Sequence, residues 1–162
     1  MKRRRRNGAG AVEVAMGDQL LIEFPQILFD MDVHYPVPLP FFTNKNLRYI
    51  YDKGTSLPRI KASVDKTQIL NVKEIALVLN DELSLDCVDY FEAADNYFRF
   101  QRQCDVVEDE GGGEWTHFFA EHFRFFETQV DKNSLYPAWK HLELKMRQDH
   151  LTFNMKFNLA SY

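Results

Sequence analysis

Glu114-Trp115-Thr116-His117-Phe118-Phe119-Ala120-Glu121-His122-Phe123-Arg124-Phe125-Phe126 is the most regular stretch of this 162-residue chain. Trp115, Phe118, Phe119, His122, Phe123, Phe126 and then Val130 recur at intervals of three and four. That spacing places them on one stripe of an α-helix through about four turns. Phe125 falls off the stripe. An aromatic face this wide needs other helices to cover it, so the stretch argues for a helical body.

The segments on either side carry the same period. Upstream, Ser84 is expected to cap a helix with Cys87, Val88, Phe91, Ala94 and Phe98 inward, running to about Cys104. Before it, Asn71 and Glu74 form an Asn variant of a capping box, opening a helix with Val72, Ile75, Ala76 and Leu79 on one face. Thr43 is placed to cap a short helix facing inward through Leu47, Ile50 and Tyr51, with Gly54 to end it. Residues 55–68 are polar, contain Pro58 and are expected to form a loop. Residues 105–113, acidic and ending in Gly111 to Gly113, form another. Downstream, a connection over 131–136 leads to Pro137 in a first helical turn, then Ala138, Trp139, Leu142 and Met146. Thr152 is expected to cap a last helix with Phe153, Phe157 and Ala160.

The N-terminal quarter reads differently. Residues 1–17 hold a basic block, Lys2, Arg3, Arg4, Arg5 and Arg6, with two glycines and small side chains, and read as a disordered tail. In 18–34, Ile27, Phe29, Met31 and Val33 alternate with Leu28, Asp30, Asp32 and His34, the period of a half-buried strand. Pro36, Pro38 and Pro40 favour an extended linker between this arm and the body, or a proline-rich ligand. The expected architecture is mainly α: a tail over 1–17, an extended arm and linker over 18–40, and a compact bundle of about five or six helices over 41–162.

Charge limits the partners. The chain has 20 Lys and Arg against 24 Asp and Glu. Setting Lys2 through Arg6 aside leaves 15 basic against 24 acidic side chains. Phosphate contacts need clustered cations, so a nucleic-acid contact or nuclear address belongs to the tail, which also reads as a solvated run without a partner. Cys87 and Cys104 fall on one helix about 25 Å apart at helical rise, too far for a disulfide, and free thiols fit a reducing compartment. No apolar run reaches the ~20 residues of a membrane span, and Glu13 interrupts the only segment resembling a secretory signal. Cytoplasm or nucleus is the expected location.

Catalytic and metal patterns are not found. His117 and His122 are five apart and do not share a helix face, and the order around Glu121 is not His-Glu-x-x-His. His122 lies on the apolar stripe and reads as a core histidine. The cysteines lack zinc-finger spacing, and there is no Gly-x-Ser-x-Gly elbow. Gly111 to Gly113 follow Glu108, Asp109 and Glu110, which would repel phosphate. Asp86, Asp89, Glu92 and Asp95 read as a solvated helix face. No catalytic, cofactor-binding or metal site is expected, and no small-molecule substrate. An enzyme built from His122, His141 and acids is the weakest of three readings. The aromatics off the stripes, Tyr90, Tyr97, Phe98, Phe100 and Phe125, fit either core periphery or a protein contact.

From Trp115 onward the order of features resembles the gag (capsid-precursor) domain of long-terminal-repeat retrotransposons. It comprises the tryptophan-led helix, Asp131 in a connection, Leu142 and Met146 before Arg147-Gln148, and then Thr152-Phe153 opening a helix with Phe157 and Leu159. The resemblance covers 115–162 and lacks the family's Cys/His zinc knuckle. It implies a non-catalytic, self-associating domain with RNA as cargo. Trp115, Phe118, Phe119, Phe123, Phe126, Trp139, Phe153 and Phe157 would be its core and assembly aromatics, and Lys2 through Arg6 the RNA contact. The alternative is a nuclear nucleic-acid-associated adaptor that uses the tail and docks one protein partner.

Overall fold

The computed structural model describes residues 24–31, 37–61, 67–105 and 114–153. Among these the chain is mainly helical. The α-helices are α1 (Asn44–Lys53), α2 (Val72–Ala76), α3 (Cys87–Asp105), α4 (Glu114–Glu127) and α5 (Lys132–Phe153). A two-stranded antiparallel sheet pairs β1 (Arg59–Lys61) with β2 (Gln68–Leu70), setting Arg59 opposite Leu70 and Ile60 opposite Ile69. Those strands replace the loop expected over 55–68.

The caps explain where the helices begin. Thr43 accepts a hydrogen bond from the Asn46 N–H, and Asn71 accepts one from the Glu74 N–H, as their side chains predict. Ser84 does not cap α3. It closes a 3-10 helix, Glu82–Ser84, and Asp86 instead accepts the Asp89 N–H at 2.8 Å. An ionised carboxylate at that end also suits the helix dipole. Gly54 ends α1 at φ 47°, ψ −122°, a backbone region that excludes side chains with a Cβ. A Cβ there would meet nothing within 4 Å. Gly54→Ala is therefore expected to cost about 1–3 kcal/mol through backbone strain alone, measured by denaturant unfolding.

The N-terminal segment departs most from expectation. Alternation predicts a strand through 27–33, but Gln26–Phe29 forms a 3-10 helix, and 32–36 lies outside the described residues. Nor do Pro38 and Pro40 hold an arm away from the body. Leu39–Phe42 forms a second 3-10 helix with all four side chains buried. Phe42 packs edge-on against Tyr97 of α3 at 4.8 Å, and Phe24, Phe29 and Phe42 all contact Phe100. Proline suits this place because the segment finds its partners through side chains. Asn96 donates to the Phe42 carbonyl at 2.7 Å, and Asn46 to the Pro40 carbonyl at 2.6 Å. The Leu70 N–H also donates to the Asp30 carbonyl, stitching the segment to β2.

α3 is the central element. Its buried positions are Tyr90, Ala93, Ala94, Asn96, Tyr97, Phe100, Gln101 and Cys104. The expected inward face is therefore rotated: Val88 is exposed, and Phe91 and Phe98 are half-buried. The cause is that α3 is covered on two sides, by Leu39–Phe42 and by α4. Tyr51 and Val130 are likewise exposed, not inward. Asp131 adopts φ 56° and turns the chain into α5, which starts at Lys132, earlier than Pro137 suggests. An aspartate tolerates that left-handed conformation better than most side chains. Thr152 falls inside α5, so no separate helix begins there, and residues 154–162 lie outside the described residues.

Candidate functional site

The stripe of α4 is a core face. Phe118, Phe119, His122, Phe123 and Phe126 are buried. Phe119 meets Tyr97 edge-on at 4.7 Å, and Phe126 stacks on Trp139 of α5 at 4.9 Å. Trp139 is half-buried and donates its indole N–H to the Lys132 carbonyl. Trp115 and Phe153 fall in α4 and α5, but their side chains, together with Phe157 and Lys2 through Arg6, lie outside the described residues. The aromatics that are described thus hold helices together. Phe118 and Phe126 are core residues, while Phe119 and Phe123 are core residues that also line an outer groove.

Two faces of α4 and α5 enclose a buried charge cluster. Glu143 and Arg147 sit one turn apart on α5, the i,i+4 spacing that joins neighbours on a helix. Arg147 Nε donates to Glu143 Oε1 at 2.9 Å, and its Nη1 to Glu82 Oε1 at 2.9 Å. Glu82 Oε1 also accepts the Leu39 N–H at 2.6 Å. His122 Nε2 lies 3.0 Å from Glu143 Oε1. An ionised carboxylate only accepts, so that nitrogen carries the hydrogen. Burial alone would push the Glu143 carboxyl up, but the Arg147 guanidinium and the His122 hydrogen bond outweigh it and hold the group at about 2. Burial first, and then the Glu143 carboxylate, push the Tyr90 phenol well above its ordinary value. The space beside the cluster is about 10 Å³, room for one water at most. The arrangement is a tie between four parts of the chain: the Leu39 turn, the Glu82 turn, α4 and α5.

Composition hides this cluster, but spacing could reveal half of it. Glu143 and Arg147 are visible as an i,i+4 pair, whereas the Glu82 and Leu39 contacts join positions far apart in sequence. His122 behaves as the stripe predicts. His117 is exposed and pairs with Glu121 at 3.2 Å, away from His122. His141 is exposed on α5. Among the described residues, no group of three or more His, Cys, Asp or Glu side chains is placed to hold a metal ion. The acids of α3 are mostly exposed; Glu92 is half-buried and accepts the Asn44 N–H at 2.6 Å. Cys87 is half-buried with its thiol 3.3 Å from Asn133 Oδ1, and burial pushes that thiol up. Cys104 is buried, and neither cysteine is in a disulfide.

Among the described residues the surface carries two apolar features of note. One is an open hollow of about 690 Å³ beside α2, where Ile60, Val72 and Leu77 meet Pro38. Leu77 is 84% exposed and its neighbour Val78 67%. The other is a groove of about 550 Å³ between α3 and α4, with Phe91, Ala94 and Phe98 on one wall and Phe119, Ala120 and Phe123 on the other. Among the described residues no helix is long and apolar enough to cross a membrane.

Compared with protein-family models, curated proteins and solved structures, the chain matches none of them.

Proposed function

We propose that this chain is a non-catalytic assembly domain of the retrotransposon gag type, which self-associates and carries RNA through Lys2 to Arg6. The observation that supports this reading is the division between inside and outside. The buried charges of α4 and α5 are spent on one another, while large apolar side chains line an outer groove and a hollow. A contiguous apolar surface rimmed by polar groups suits a protein contact. The acidic body repels phosphate, which assigns RNA to the basic block.

The adaptor reading rests on the same basic block and differs in one respect: the protein alone stays monomeric. Sedimentation velocity of the full chain, with and without single-stranded RNA at low and high salt, separates the two. Assembly predicts species larger than a monomer without RNA. An adaptor predicts a monomer whose RNA binding fades with salt and disappears when Lys2 through Arg6 are removed. RNA binding unaffected by that deletion would contradict both.

A further inference from the structure

The groove between α3 and α4 has the charges of a surface that fits itself. Tyr90 contacts Phe123 while Tyr97 contacts Phe119, so the two helices run antiparallel. Phe91 and Phe98 are half-buried along the α3 wall, and Ala94 and Ala120 line opposite walls. The small alanines leave space at the middle of the groove, where another helix pair can approach closely. Asp95 stands on the α3 wall, with Arg124 and Glu127 on the α4 wall, all three exposed. Asp95 has an exposed i,i+4 contact to Arg99 at 3.4 Å, a weak pair that leaves the carboxylate open to a second cation.

We infer that this groove is a two-fold interface between copies of the chain, in which Asp95 of each copy meets Arg124 of the other. A two-fold axis along the groove lays α3 of one copy over α4 of the second. The aromatic contacts that set the helix register then leave Asp95 offset by about one turn, roughly 5 Å along the helix axis, from the second copy's Arg124. Arginine's long side chain spans that distance. The same residues serve on both sides, as an isologous contact requires. The apolar walls close over one another into a four-helix arrangement with Phe91 and Phe98 inside. The inference rests on the self-association proposed above, and names its surface.

Equilibrium sedimentation of the full chain tests it with a charge swap. Asp95→Arg and Arg124→Asp are each expected to weaken the dimer about 100-fold, because each places like charges together twice per interface. The double variant, Asp95→Arg with Arg124→Asp, restores the pairs in reversed order and should return association to within about tenfold of the natural chain. Both positions are exposed, so at a concentration low enough to keep every chain monomeric the thermal midpoints of all three variants should stay near that of the natural chain. If the natural chain associates and neither single variant weakens it, the surface is wrong while self-association stands. If both singles weaken it and the double does not recover, the Asp95–Arg124 pairing is wrong. A natural chain that stays monomeric overturns both the surface and the reading it rests on.

Discussion

Arg147→Ala is expected to lower the unfolding free energy by about 3–5 kcal/mol, the cost of leaving a buried ion partner uncompensated. Arg147 touches two carboxylates, Glu143 and Glu82, and it is as buried as Glu143. Its removal leaves Glu143 facing His122 without a guanidinium beside it. Burial would then govern the Glu143 carboxyl and push it up from about 2. The pH dependence follows. A depressed carboxyl contributes stability that is complete above its ordinary value of 4.5 and is lost as pH falls toward 2. Urea unfolding of the natural chain should therefore weaken between pH 4.5 and 2. Arg147→Ala should be weaker already at neutral pH, with a smaller further loss through that window. Replacing Glu143 and Arg147 together by Leu and Met should recover part of the deficit, since an apolar pair carries no stranded charge. A change below about 1 kcal/mol for Arg147→Ala would show that the cluster is open to water.

Phe42→Ala is expected to cost a further 3–5 kcal/mol, approximately the penalty for deleting a fully buried aromatic. Phe42 is completely buried and touches both Tyr97 and Phe100. Its carbonyl also receives the Asn96 side chain, so the ring and the backbone are anchored to the same helix. Chemical denaturation with fluorescence detection reads the loss. A linker that merely spaced an arm from the body would tolerate the change with less than about 0.5 kcal/mol. The experiment thus decides whether the proline segment belongs to the core.

These two residues also show what was legible in the sequence. The helical body was, because Phe118, Phe119, His122, Phe123 and Phe126 repeat with a period only a helix satisfies, and all five are buried. Thr43, Asn71 and Gly54 were legible too, since caps and left-handed termini depend on local chemistry. The face of α3 was not. Two elements cover it, so Tyr90, Tyr97 and Phe100 are inside although they lie off the expected stripe. Alternation in 27–33 misled because a short 3-10 helix packed among large rings buries residues without a helical period. The proline segment misled for a related reason: Leu39, Phe41 and Phe42 are buried, and Phe42 packs on Tyr97 and Phe100, more than fifty positions away. Long-range partners are invisible to a window of neighbouring residues. That is why the part played by Glu82 is not legible in the sequence, while the pairing of Glu143 and Arg147, one turn apart, is.

Light scattering of the full chain across a concentration series tests the central claim of self-association most directly. The account predicts a mass that rises with concentration from the 19.1 kDa of one chain to at least twice that value. A mass that holds at a single chain over the whole series would contradict it.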